Sequence, residues 1–361
     1  MGETETNMKL EVSIGGRQIG PDHPPYVVAE LSANHNQNFE RAVELVRAAK
    51  NAGADAIKLQ TYTADTLTIK SDRPEFRIAG GTIWDGRTLH DLYSEAYTPW
   101  EWQPRLKAVA DDLGIPLFST PFDSTAVDFL EQMDVPAHKV ASFELVDLPL
   151  IRKIAQTGKP LVISTGMASI AEISEAVDAA RSAGATEIVL LKCTSAYPAP
   201  AEEAHLRTIP HLSAAFGVPA GLSDHTLGIA VPVAAAAVGA SFIEKHFTLS
   251  RGDAGPDSAF SLEPAEFRAM ADAVRTAWSA LGHVHYGTSA RDVNSLRFRR
   301  SLFVVRDIPA GGRFTKENVR SIRPSNGLPP KFLEFVLERH AVRPLAAGTP
   351  LDWSMIAGDS A

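Results

Sequence analysis

The sequence predicts a closed (β/α)8 barrel followed by a small β-rich domain, and three observations carry that prediction. A short apolar, β-branched run followed by an amphipathic, Ala-rich stretch recurs eight times. After about His285 this rhythm gives way to short β patterns broken by Gly and Pro. No G-x-G-x-x-G follows the first run, which favours a barrel over an open doubly wound sheet with the same local alternation. A chain of 361 residues has room for one large and one small unit. The expected boundaries are a barrel over 8–285, a linker over 286–296 and the small domain over 297–361.

In chain order the runs are Tyr26 to Leu31, Ala56 to Gln60, Pro116 to Ser119, Lys139 to Phe143, Pro160 to Ser164, Ile188 to Lys192, Ala220 to Ser223 and Ser241 to Lys245. Runs this short and continuously apolar fit strands buried on both faces of a parallel sheet. Helix ends are legible between them. Asn38 suits the N-cap of FERAVELVRAAKNAG, in which Val43, Val46 and Ala49 share a face and Gly53 suits the stop. Ser169 and Glu172 make a capping-box pair. One connection is far longer, from Thr61 to about Trp102, and holds Trp84, Trp100 and Trp102, three of the five tryptophans. Its length and aromatic content predict either a substrate lid or a hydrophobic flap over a barrel end. The basic stretch from Arg291 to Arg300 leads into the small domain.

Composition narrows the function. With 35 Lys+Arg against 43 Asp+Glu and a formal net charge of -8, the chain lacks the basic excess of a general nucleic-acid surface. No run approaches the roughly 18 apolar residues of a spanning helix, so no membrane insertion is expected. The single cysteine, Cys193, cannot form an intramolecular disulfide, and cytoplasm is the expected location. The leader MGETETNMKL has no signal-peptide pattern; it formally matches a myristoylation pattern from Gly2 to Thr6, and Met8 offers a later start.

Active sites of such barrels lie at the C-terminal ends of the strands, and here those ends are polar. In order they supply Glu30, Asn34 and His35; Lys58 and Gln60; Thr120; Lys139, Ser142 and Glu144; Ser164 and Thr165; Lys192, Thr194, Ser195 and Tyr197; Ser223, Asp224 and His225; Glu244, Lys245 and His246. Lysines among hydroxyls suit an anion carrying phosphate and carboxylate. His225 and His246 end consecutive strands and are therefore neighbours. Two neutral imidazoles beside carboxylates could hold a divalent ion such as Mn²⁺, Fe²⁺ or Zn²⁺, or could be hydrogen-bonding rim histidines; spacing alone leaves both readings open.

The stretches AELSANHN, DAIKLQTY, FSTPFD, KVASFEL, ISTGMAS, LKCTSAYPAP, GLSDHT and IEKHFTL, followed by GPDSAFSLEP, resemble the sialic acid synthase family. These are phosphoenolpyruvate-condensing barrels with a C-terminal antifreeze-like (SAF) domain, which RRSLFVVRDIPAGGRFTKENVRSIRPSNGL resembles in turn. The resemblance runs from about Met8 to the end. ELSANHN, CTSAYPAP and GGTIWDGRTLHDLYSEAYTPWEW are most similar to the branch that makes pseudaminic acid, and Ser195 stands where N-acetylneuraminate-forming members carry Asn.

The resemblance implies a transferase that joins phosphoenolpyruvate to 2,4-diacetamido-2,4,6-trideoxy-L-altrose and water, giving pseudaminic acid and phosphate. N-acetylneuraminate or legionaminic acid synthesis is the alternative, and a non-catalytic sugar-binding barrel a more distant one. It implies that Lys58, Lys139, Ser142, Ser164, Ser195 and Ser223 hold phosphoenolpyruvate; Thr120, at the same end, is a further substrate-binding candidate. Glu30, Gln60, Tyr197 and Asp257 would contact the sugar, and Glu144 or Glu244 would position or deprotonate water. His225 and His246 would hold a divalent metal, Mn²⁺ first, with Mg²⁺ or Co²⁺ as others. The small domain would reach the partner's barrel in a domain-swapped homodimer, where Arg323 would meet an N-acetyl group.

Overall fold

The computed structural model describes residues 10–81, 84–253 and 255–358, so the leader with its Gly2 to Thr6 pattern and Met8 lies outside the described residues. The chain divides into two compact units, up to Gly282 and from His283 onward.

The first unit begins with a hairpin the repeating pattern does not announce, β1 (Val12–Ile14) and β2 (Arg17–Ile19). Its signal is the Gly15-Gly16 pair between alternating residues: both glycines have positive φ, 58° and 79°, as a two-residue primed turn requires. Eight parallel strands then close a barrel: β3 (Tyr26–Glu30), β4 (Ala56–Thr61), β5 (Leu117–Pro121), β6 (His138–Val140), β7 (Leu161–Ser164), β8 (Ile188–Cys193), β9 (Ala220–Asp224) and β10 (Phe242–His246). Closure is the pairing of β10 with β3, in which His246 faces Glu30.

Two apolar layers explain why the strands read as unbroken apolar runs. One side of each strand packs on the helices, through Val27, Ile57, Leu117, Ile163, Leu190, Leu222 and Ile243. The other side fills the barrel floor with Tyr26, Val28, Ala56, Phe118, Val162, Val189, Leu191 and Phe242, and onto this floor the hairpin presses Val12, Ile14 and Ile19. The hairpin therefore plugs the end of the barrel opposite the polar strand ends.

Helix ends behave as their sequences demand. Asn38 accepts from the Arg41 N–H to cap Phe39–Asn51, whose buried face is Ala42, Leu45, Val46 and Ala49. Ser169 and Glu172 form a reciprocal capping box at Ile170–Ser182. The run from Lys139 to Phe143 departs from expectation: β6 stops at Val140, and Ser142–Glu144 form a 3-10 turn that swings the chain toward the Asp147-capped helix Leu148–Ala155. The long Thr61 to Trp102 connection carries helices of its own, Ala64–Leu67 and Leu89–Ala96, the second capped by Thr88 and anchored by buried Leu92. No helix among the described residues is long and apolar enough to cross a membrane.

The second unit has its own core, including Leu302, Val304, Ile308, Phe314, Val319, Leu328, Val336 and Leu345. Its β structure is one antiparallel pair, β11 (Ser301–Val304) with β12 (Val319–Ile322), extended by single bridges such as Ile308 with Leu345 and Arg313 with His340. A 3-10 turn, Val293–Phe298, lies across the end of the stretch expected as linker.

Because Ile14 is fully buried against the barrel floor, Ile14→Ala is expected to cost roughly 2 to 5 kcal/mol of unfolding free energy. Urea denaturation checks this; a loss below about 1 kcal/mol would mean that the hairpin does not seal the floor.

Candidate active site

Successive strand residues face opposite sides, so parity sorts the polar strand ends into two sets. Glu30, Lys58, Gln60, Thr120, Lys139, Ser164, Cys193, Ser223, Glu244 and His246 continue the inward column of the floor residues, and His225 follows it just beyond β9. Lys192, Asp224 and Lys245 continue the outward column of Leu190, Leu222 and Ile243, and Thr165 that of Ile163. These four therefore do not line the mouth, although the sequence placed them among its strand-end groups. Lys245 is fully buried behind the site, bonded to the Asp224 carboxylate and the Thr226 carbonyl. Asp224 also accepts from the Thr226 N–H at 3.1 Å, so this knot ties β9 to β10 directly behind the two histidines. Lys192 donates to the Cys193 carbonyl at 2.8 Å and lines a cavity of about 840 Å³ with Thr165, Met167 and Arg207. That cavity contains none of the inward set, and the concentration of charge lies instead in the mouth.

Asn34 and His35 also leave the mouth. Asn34 braces the loop after β10 through the Phe247 carbonyl at 2.9 Å and Ser261 Oγ at 2.8 Å. His35 bonds to Thr98 Oγ1 at 3.0 Å against the Trp102 ring, and burial lowers its pKa to about 4.

What parity leaves inward is a buried cluster of two carboxylates and two ammonium groups. Lys58 Nζ lies 2.6 Å from Glu30 and 3.4 Å from Glu244, and donates to Thr120 Oγ1 at 3.3 Å. Gln60 donates to Glu30 at 3.0 Å and Ser223 to Glu244 at 3.0 Å. Lys139, 2% exposed, donates to Ser164 Oγ at 2.6 Å and to the Val140 carbonyl at 2.9 Å. Burial would lower Lys58, yet the Glu244 and Glu30 carboxylates hold it above the ordinary lysine value. Lys139 has no carboxylate in direct contact, and burial wins, pulling it down. Burial pushes Glu30 up against the pull of Lys58, whereas the two ammonium groups hold Glu244 down despite its burial. A dianion arriving beside Lys139 would meet a lysine that has given up water and touches no carboxylate directly.

Three hydroxyls gather at Lys139 and the nearby Gly166. Ser164 bonds to it directly, Ser142 accepts from the Gly166 N–H at 3.1 Å, and Ser195 lies close to the same glycine. A Cβ at Gly166 would collide with both Ser142 Oγ and Ser195 Oγ, so only glycine lets the three loops close to this distance. Glu144 stands at the rim in its 3-10 turn, with Oε2 buried and without a hydrogen-bond partner; burial raises its pKa to about 7.

The His225 and His246 rings lie 5.3 Å apart. His225 Nδ1 donates to the Thr194 carbonyl at 2.9 Å, which assigns the proton to Nδ1 and leaves the Nε2 lone pair for a ligand. His246 Nδ1 is buried without a hydrogen-bond partner, and burial holds this imidazole well below its ordinary pKa, the neutral state that metal ligation needs. Burial would lower His225 too, but Cys193 beside it and the Thr194 carbonyl hold it up. Among the described residues no group of three or more His, Cys, Asp or Glu forms a ligand cluster. Two imidazole nitrogens could supply two positions of a divalent ion's shell, the rest falling to water or substrate.

Tyr197 packs on His225 at 4.3 Å, and Phe260 packs on Tyr197 at 5.4 Å and on His246 at 4.9 Å. Asp257 accepts from Ser32, which also accepts from Gln60 at 3.0 Å, so the sugar-side candidates Glu30, Gln60 and Asp257 form one network. Sequence reading overlooked Ser32, Trp84 as a site residue, and Phe260. The tryptophan count had flagged the Trp84 loop without saying which indole reaches the mouth, and the aromatic in GPDSAFSLEP was the only signal for Phe260. Arg323 is exposed in the second unit, directly after β12.

Comparison with known proteins places this chain in a family. Residues 45–286 match the NeuB family and residues 299–357 the SAF domain. The chain belongs to the NeuB family. It is 44% identical to a pseudaminic acid synthase of Helicobacter pylori, over 91% of this chain and 96% of that protein. It is 35% identical to an N,N'-diacetyllegionaminic acid synthase of Legionella pneumophila, over 92% of this chain and 94% of that one. Among solved structures it is similar to the N-acetylneuraminic acid synthetase of Leptospira borgpetersenii in complex with citrate, with a TM-score of 0.71 and 29% identity. That match covers 81% of this chain and 96% of the other. The family and fold read from the motifs are thereby borne out.

The two water-activating candidates differ in protonation, which makes them separable. Glu144 becomes a carboxylate only as pH rises through about 7, so if it is the base, kcat climbs across that range. Glu144→Gln then removes the acid limb and lowers kcat by about 10² to 10⁴-fold. A limb that persists in Glu144→Gln assigns the role elsewhere, with Glu244 next.

Proposed function

We propose that this chain joins phosphoenolpyruvate to 2,4-diacetamido-2,4,6-trideoxy-L-altrose in its open-chain form, giving pseudaminic acid and phosphate. The observation that carries the reading is the buried Lys58–Lys139 pair among hydroxyls at the closed end of the mouth, a site built for a compact anion. The 44% identity to pseudaminic acid synthases, against 35% to a legionaminic acid synthase, supports this sugar over its relatives. A non-catalytic barrel would gain nothing from four desolvated charges, each costly to bury.

In this reading Lys139, Ser142, Ser164 and Ser195 hold the phosphate and carboxylate, with Lys58 bridging toward the sugar side. Glu30, Gln60, Asp257 and Tyr197 orient the aldehyde so that the C2=C3 π pair of phosphoenolpyruvate attacks sugar C1; the new C–C bond forms as the C=O π pair moves onto the aldehyde oxygen, which takes a proton to become a hydroxyl. The positive charge left at phosphoenolpyruvate C2 is met by water, whose proton passes to the carboxylate base, Glu144 or Glu244. The resulting tetrahedral centre expels phosphate by C–O cleavage, and the lysines stabilise the departing anion. A divalent ion on His225 and His246, Mn²⁺ first, would supply Lewis-acid polarisation of the aldehyde. The direct test is a sugar panel: phosphate release should be fastest with the L-altro diacetamido sugar, and faster release with N-acetylmannosamine would overturn the assignment.

For the metal, exhaustive chelation is expected to abolish turnover and Mn²⁺ to restore it, while His225→Ala and His246→Ala lose bound metal by elemental analysis and keep their fold. Full activity in metal-free protein would contradict the role.

The reading extends to a homodimer in which the small domain completes its neighbour's site through Arg323 of the partner subunit. The support is family membership with a SAF domain and an exposed arginine after β12. Mixing Arg323→Ala chains with Lys139→Ala chains should then regenerate activity that neither parent has. A mixture as inactive as its parents, after verified subunit exchange, places the arginine in cis or outside the mechanism.

A further inference from the structure

The three tryptophans of the long connection have separate fates. Trp100 donates to the Tyr62 carbonyl at 3.0 Å and packs on Phe129, while Trp102 packs on His35 and Phe39. Both pin the connection to the barrel wall. Trp84 alone of the three packs against a ring of the mouth: its indole lies 5.6 Å from Tyr197, and Nε1 donates to the Pro256 carbonyl at 3.1 Å. It thereby spans from the loop after β4 to the loop after β10 that carries Asp257 and Phe260. The rings rise in series from the histidines, Tyr197 resting on His225 at 4.3 Å and Trp84 on Tyr197 beyond it. Phe260 closes the inner side against His246.

If the aldehyde carbon reacts at the level of the histidines, this aromatic series is the surface along which the far end of an open-chain sugar would run. In the proposed substrate that far end is a methyl group, because C6 carries no hydroxyl. We propose that Trp84 is a specificity residue whose indole, with Tyr197, forms an apolar roof for the C6 methyl and selects 6-deoxy over 6-hydroxy acetamido sugars. The inference rests on the functional reading above and adds to it the group that reads the distal carbon. An apolar surface over a methyl discriminates modestly against an added hydroxyl, by about 10 to 100-fold in kcat/KM. Trp84 acts on the bound sugar's remote end, so its loss falls on the sugar KM more than on kcat, and phosphoenolpyruvate binding at Lys139 is untouched.

The test uses the full chain as wild type, Trp84→Ala and Trp84→Phe. Phosphate release is measured with 2,4-diacetamido-2,4,6-trideoxy-L-altrose and with the same sugar carrying a 6-hydroxyl. Trp84→Ala is expected to lower the 6-deoxy to 6-hydroxy ratio of kcat/KM by about tenfold, through the 6-deoxy KM, and Trp84→Phe to restore most of it. An equal loss on both sugars, the outcome for a mere strap holding the loop, overturns the proposal, as does an unchanged ratio. If the wild-type chain fails to turn over the 6-deoxy sugar at all, the functional reading falls and this inference with it. Turnover with an unaltered ratio sinks this inference alone.

Discussion

Everything in the mouth depends on keeping two ammonium groups and two carboxylates out of water at the inward strand ends. Glu30, Lys58, Lys139 and Glu244 are each under 5% exposed, in surroundings where an uncompensated charge costs several kcal/mol. The cluster tolerates this by sharing. Lys58 is divided between two carboxylates, and Thr120, Gln60 and Ser223 add hydrogen bonds, while Glu244 Oε2 stays buried without a hydrogen-bond partner. Lys139 is the exception, bound to a hydroxyl and a carbonyl and to no carboxylate. Its position is intelligible if its counter-ion is a substrate.

The rest of the barrel serves that cluster. The floor packs apolar side chains beneath it and the β1–β2 hairpin covers the far end, so the cluster does not open through the floor. Behind the mouth the Lys245–Asp224–Thr226 knot ties β9 to β10, so that His225 and His246 face each other from adjacent strands. The outward parity of that knot turns the two charged residues beside the histidines away from the mouth.

Much of this was legible in the sequence because a parallel barrel strand leaves a plain trace: an apolar run ending in polar residues. The eight runs fell on the eight strands, and the Asn38 and Ser169 caps were readable because a cap's chemistry is local. Parity was harder, since near-continuous apolar runs carry no alternation to say which strand-end residue faces inward. Lys192 and Lys58 look alike in sequence, and only the columns of Leu190 and Ala56 separate them. The 3-10 turn at Ser142 was hidden in an apolar run, and the reach of Trp84 depends on how the long connection folds, which no local pattern encodes.

Whether Lys139 is buried for an anion or for the fold is decided by calorimetric phosphoenolpyruvate binding to Lys139→Met, paired with its urea denaturation. A lysine buried for an anion gives affinity reduced at least about tenfold on its loss, as removal of a charge-assisted contact implies, with stability equal to or above wild type. Unimpaired binding together with a clear loss of stability would make Lys139 a structural residue and contradict the anion role.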